Sequence, residues 1–134
     1  MEQTLIKTME LRNGLKLDLY DISRKLAGDR WYVGMIAQID IPLTDSLLTN
    51  QLLSNYRLEE IRNALGEVVS FQKKMDRHFI AEGEKDALLH GLMDSFIKSS
   101  LSYLSHPDFS IKYVHKEIKA YLKQQAWYKG DHRG

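Results

Sequence analysis

The chain contains no cysteine. That absence excludes disulfide frameworks, thiolate zinc sites, iron–sulfur clusters and a cysteine nucleophile. Excess charge of one sign is also missing: 19 basic residues stand against 18 acidic ones, a formal charge of +1. Coating of polyanions through bulk charge is therefore not expected. Long apolar runs are lacking, because Gln38, Asp40, Lys98 and similar residues interrupt them. None approaches the roughly 20 residues needed to span a bilayer. The opening MEQTLIKTMELRNG lacks a basic stretch followed by a continuous apolar one, so neither a signal peptide nor a membrane association is expected. The expected location is cytoplasmic. Internal repeats, low-complexity segments and interdomain linkers are likewise not found.

The 134 residues, 43% hydrophobic and 28% charged, suit one globular domain over 1–134. Leu5, Met9 and Leu11, then Leu15, Leu17 and Leu19, alternate with mostly polar neighbours, the period of half-buried strands. A three-residue connection, Arg12-Asn13-Gly14, sets Met9 against Leu17 and Lys7 against Leu19; a one-residue slip would mix the faces. Gly14 is expected in the left-handed conformation. A further strand, Arg30 to Pro42, places Trp31, Val33, Met35, Ala37, Ile39 and Ile41 on one face. Pro42 ends it, because proline cannot donate to a ladder. Residues 1–42 thus read as a β-meander.

Residues 43–66 read as helical, with Thr44 or Asp45 capping a first helix, Ser54 or Asn55 a second, and Gly66 ending it. Residues 67–80 fit both periods, and Val68-Val69-Ser70-Phe71 after Gly66 favours a strand. Two helices follow over 82–128, separated by Ser105-His106-Pro107-Asp108. The first carries the broad stripe Leu88, Leu89, Leu92, Met93, Phe96, Ile97 and Leu101, which predicts a largely buried helix. Residues 129–134 are expected to fray. The fold class expected is α+β: an antiparallel meander of three strands, with a fourth at 67–80, covered on one face by C-terminal helices.

Four sets of residues suggest chemistry. Arg24, Lys25, Gly28 and Arg30 lie in one segment between strands, where cations and a glycine turn can hold an anion. An ordinary charged hairpin loop is the competing reading. The histidines 78, 90, 106, 115 and 132 show no HExxH or HxH spacing, and Asp86, His90 and Asp94 read as a solvated helix face, so no metal is expected. Asp18, Asp21, Asp29 and Asp40 lie on or between strands, and paired carboxylates there could do acid–base work. Salt-bridge and turn roles fit them better, and no GxSxG motif occurs. Lys112, Lys116, Lys119 and Lys123 form a continuous stripe within a C-terminal segment, 110–134, of net charge +4. Lysines with neighbouring aromatics can meet nucleic acid or an acidic partner. Four of them neutralise few phosphates, so nucleic acid is not the favoured partner.

Asp21-Ile22-Ser23 followed by Gly28 resembles one element of PilZ domains, but the glycine comes two residues late and no RxxxR precedes it. That family is set aside. Leu11 to Val33, with Tyr103 to Phe109, resembles short bacterial proteins that bring no assigned activity, ligand or catalytic residue. The resemblance implies a bacterial cytoplasmic setting alone. The expectation is a non-catalytic interaction or regulatory module without a cofactor, working through a protein partner or self-association. The surface expected to serve it is Tyr20, Ile22, Tyr32 and Ile36 on the second face of the sheet. Anion or nucleic-acid binding, and a small enzyme, are the alternatives.

Overall fold

A computed structural model describes residues 3–131. Five strands form an antiparallel sheet: β1 (Thr4–Glu10), β2 (Lys16–Asp21), β3 (Arg24–Ala27), β4 (Arg30–Pro42) and β5 (Val68–Ala81). The helices are α1 (Asp45–Leu48), α2 (Leu58–Leu65), α3 (Lys85–Leu104) and α4 (Phe109–Asp131). The mixed α+β class and the antiparallel sheet are those the hydrophobic periods predict, and the segment expected as a strand at 67–80 forms β5, Val68–Ala81.

The chain divides into two compact units, each built from two separate stretches. One comprises the residues through Asp40 together with Ser70–His106; the other comprises Ile41–Val69 and Pro107 onward. In the first unit, β1 and β2 pair with Met9 opposite Leu17 and Lys7 opposite Leu19, the predicted register. Gly14 takes φ 89, which a side chain would resist, and the Leu11 amide donates to the Leu15 carbonyl at 2.8 Å. Asn13 then ties the turn to the end of α3. Its Nδ2 donates to the carbonyls of Leu104 at 2.9 Å and His106 at 3.0 Å.

The segment expected as a loop between strands contains β3. This strand continues β2 in one register along β4: Asp18 opposes Gln38, Asp21 opposes Met35 and Arg24 opposes Tyr32. The Ile22 amide, donating to the Gly34 carbonyl at 3.0 Å, fills the gap between them. Thus β2 and β3 act as one interrupted strand. β5 lies against β4, with Ser70 Oγ donating to Asp40 Oδ1 at 2.6 Å and Gln72 Nε2 to Gln38 Oε1 at 2.8 Å.

One sheet face carries Leu17, Leu19, Val33, Met35, Ala37 and Ile39, all fully buried. Trp31 alternates onto that face, and Lys85, at the start of α3, lies 4.7 Å over its ring, while Leu104, at the end of the helix, meets Asn13. The helix therefore runs from β4 toward the β1–β2 turn. It is less buried than its stripe predicts: Phe96 and Leu104 are buried, whereas Leu88, Leu89, Leu92, Met93, Ile97 and Leu101 are half-buried. Seven apolar positions are spread too widely around a helix for one sheet face to cover them all.

In the second unit, Thr44 caps α1 by accepting from the Leu47 amide at 3.2 Å. A short 3-10 turn, Gln51–Leu53, follows, capped by Asn50. α2 is preceded by Arg57 without a side-chain cap, so neither Ser54 nor Asn55 has the expected role; Ser54 closes the 3-10 turn instead. Glu59 and Glu60 stand in the first turn of α2, where the helix dipole favours them. Arg62 crosses back to the Leu43 carbonyl at 3.0 Å and to Asp45 Oδ1 at 2.8 Å. Leu48, Leu53, Ile61, Val114 and Ile118 are buried. α4 extends through Asp131; of the segment expected to fray, residues 132–134 lie outside the described residues. No helix among the described residues is long and apolar enough to cross a membrane.

Candidate interaction surface

The second sheet face is not the open apolar patch that alternation predicts. Tyr32 is 4% exposed and Ile22 2%, while Tyr20 and Ile36, opposite each other across β2 and β4, are half-buried. The cause is a side chain lying flat. Tyr32 reaches along the sheet across Gly34, and its hydroxyl donates to Asp76 Oδ2 on β5 at 2.8 Å. A Cβ at Gly34 would come within 2.8 Å of Tyr32 Cε2 and 2.9 Å of Ile22 Cγ1. The His78 ring tilts against Tyr32 with centroids 5.0 Å apart, and the Arg24 guanidinium lies 5.3 Å over its face. Lys74 Nζ stands 4.0 Å from Asp76 Oδ2. Burial, then the bond to Asp76 and its charge, raise the Tyr32 pKa above the ordinary tyrosine value, with Arg24 acting in the opposite sense. Alternation counts faces along one strand and misses a neighbour that lies down over a glycine.

The basic segment is mostly strand. Arg24 and Lys25 are consecutive on β3, opposite Tyr32 and Trp31, so their side chains leave opposite faces of the sheet. Gly28 and Asp29 make the turn, and Arg30 Nε lies 3.7 Å from Asp29 Oδ1. Lys25 therefore leaves the face on which Arg24 stands over Tyr32. The strand aspartates are similarly engaged. Asp18 accepts from Thr8 at 2.7 Å, Asp21 from the Ser23 amide at 2.8 Å, and Asp40 from Gln38 and Ser70. His90 is exposed, and His115 faces Tyr56 with ring centroids 6.3 Å apart. His132 lies outside the described residues. Among the described residues, no three His, Asp or Glu side chains converge as a metal site.

Lys112, Lys116, Lys119 and Lys123 are all exposed on α4. Within the same unit, α2 and α4 enclose a shallow groove of about 230 Å³ lined by Tyr56, Glu60, Asn63, Ala64, Ile118, Tyr121 and Leu122. That is below the roughly 300–1,000 Å³ of small-molecule sites.

The surface that sequence reasoning missed is the outer edge of β5. Among the described residues, β5 pairs with β4 and with no other strand, which leaves its second row of backbone groups unpaired by a strand. Near the end of the strand stands Phe79, whose φ is 58 and which is 72% exposed. An aromatic residue in the left-handed region costs about 1–2 kcal/mol. Burial does not repay that cost here. Met75, four residues earlier, is half-buried. The available signal was the run Lys73-Lys74 and Asp76-Arg77 around one methionine, the charge dressing of an edge strand.

Comparison with protein-family models, curated proteins and solved structures gave no match.

Proposed function

We propose that the chain is a non-catalytic protein-interaction module whose contact surface is the outer edge of β5. The observation that carries this reading is Phe79, a large aromatic held exposed in a conformation that favours glycine. Strain of this kind persists where the surrounding structure imposes it, and it concentrates at functional positions. The open strand edge offers backbone pairing, and the exposed Phe79 ring offers apolar area to bury. The engagement of the strand aspartates with structural partners supports a role other than catalysis.

Capture experiments with immobilised protein test the reading. A partner should be retained by wild type and by Leu122→Asp, which alters the α2–α4 groove, and lost with Phe79→Asp. Loss with Leu122→Asp and retention with Phe79→Asp would move the surface to the second unit. A second reading is favoured by the four exposed α4 lysines: contact with an acidic partner or single-stranded nucleic acid. Fluorescence titration with an oligonucleotide at two salt concentrations tests it. Salt-sensitive binding lost on changing Lys116 and Lys119 to Gln supports it, and absence of binding ends it.

A further inference from the structure

We propose that the occupant of the β5 edge is a second copy of this chain, paired antiparallel about a two-fold axis at Met75; this rests on the interaction reading above. A two-fold contact requires a surface complementary to itself, each residue meeting its own counterpart reflected about the centre. The β5 sequence Phe71-Gln-Lys-Lys-Met75-Asp-Arg-His-Phe79 has that property in its apolar positions and in its inner charges. Centred on Met75, the pairing sets Met75 against the partner's Met75 and Lys74 against the partner's Asp76, and brings Phe71 level with the partner's Phe79. The opposite charges at 74 and 76 are exposed and half-buried respectively. The inner bond of Asp76 to Tyr32 uses Oδ2, which leaves Oδ1 for the partner's Lys74.

One pair opposes this register, Lys73 against the partner's Arg77, and both side chains are exposed and long enough to diverge into water. The neighbouring centres fare worse. A centre at Lys74 sets Lys74 against itself and Phe71 against the partner's Arg77. A centre at Asp76 sets two carboxylates together and Lys73 against the partner's Phe79. Centres between residues place the two α3 helices on opposite faces of the joined sheet. The Met75 centre keeps both α3 helices on the same face and brings the half-buried Met75 of each copy together.

The absence of cysteine makes the register directly readable. Residues opposite each other across an antiparallel pair have Cα atoms about 4.5–5.5 Å apart, within the span a disulfide bridges. Met75→Cys should therefore oxidise to a covalent dimer, whereas Gln72→Cys, displaced along the strand from its own counterpart, should stay monomeric on a non-reducing gel. Sedimentation equilibrium of the cysteine-free wild type should show a dimer that Phe79→Asp dissociates. A wild-type dimer in which Gln72→Cys cross-links and Met75→Cys does not overturns the register. A wild-type monomer at millimolar concentration overturns the second copy as occupant. The capture experiment, which scores a different partner at the same edge, then decides separately whether the interaction reading stands.

Discussion

Replacing Gly34 by alanine isolates the contact that closes the second sheet face. The added Cβ would lie 2.8 and 2.9 Å from two Tyr32 ring carbons and 2.9 Å from Ile22 Cγ1. Carbon pairs rest at about 3.5–4.0 Å, so the overlap is roughly 0.6 Å or more at each contact. Tyr32 cannot turn aside freely, because its hydroxyl is bonded to Asp76 and its ring lies between Arg24 and His78. Either the ring stays, at an overpacking cost of about 1–3 kcal/mol, or it leaves and forfeits a bond to a charged group worth about 1.5–3 kcal/mol. Alanine restricts the unfolded chain and returns about 0.4–1 kcal/mol. The expected net loss is about 1–2 kcal/mol. At roughly 3 °C per kcal/mol for a chain of this size, the melting temperature falls by about 3–6 °C. Urea unfolding followed by circular dichroism measures it. The decisive comparison is the same substitution in a Tyr32→Val background, where the ring carbons are gone and Gly34→Ala should become neutral or slightly stabilising. An equal loss in both backgrounds would refute the account of this face.

Alkaline titration probes the same side chain. The raised pKa of Tyr32 means its contribution to stability is whole below the unfolded tyrosine value and is lost as pH climbs through the higher folded one. Tyr32→Phe should be less stable than wild type at neutral pH, and the gap should close in alkaline melts; a gap independent of pH would count against the bond to Asp76. At protein concentrations low enough to keep the chain monomeric, Phe79→Gly should raise the urea midpoint despite removing an aromatic ring, because it relieves a φ of 58 at an exposed position. A lower midpoint would show that the ring is needed within the monomer. Asn13→Asp should lower the midpoint more than Asn13→Ala, since it turns carboxylate oxygens toward the Leu104 and His106 carbonyls. Equal effects would argue that the amide does not tie the turn to α3. Arg62→Lys should fail to restore the midpoint lost in Arg62→Ala, because a point charge cannot reproduce contacts to Leu43 and Asp45 together. Full restoration would reduce Arg62 to a charge.

Much of the first unit is legible in the order of residues. The hairpin register follows from keeping Met9 and Leu17 on one face, and the limits of β4 follow from its alternation and from Pro42. β3 was not legible, because Arg24-Lys25-Leu26-Ala27 has too few apolar residues to show a period, and its pairing is dictated by β4 alone. The chemistry of the second face was hidden for a related reason. Which residues meet Tyr32 depends on the β5 register, and Asp76 is 44 positions away. The α3 stripe was visible, but its burial depends on where the helix crosses the sheet. The left-handed backbone at Phe79 left no local mark, since no glycine or asparagine stands there to announce it.

Amide hydrogen exchange along β5, measured over a range of protein concentrations, tests the central claim most directly. Strand pairing at the outer edge ties up alternate amides between Phe71 and Phe79 that water otherwise reaches. The account predicts that their exchange slows as concentration rises in wild type and not in Phe79→Asp, while the amides of β2 are unchanged. Exchange along β5 that is independent of concentration and of added partner would contradict it.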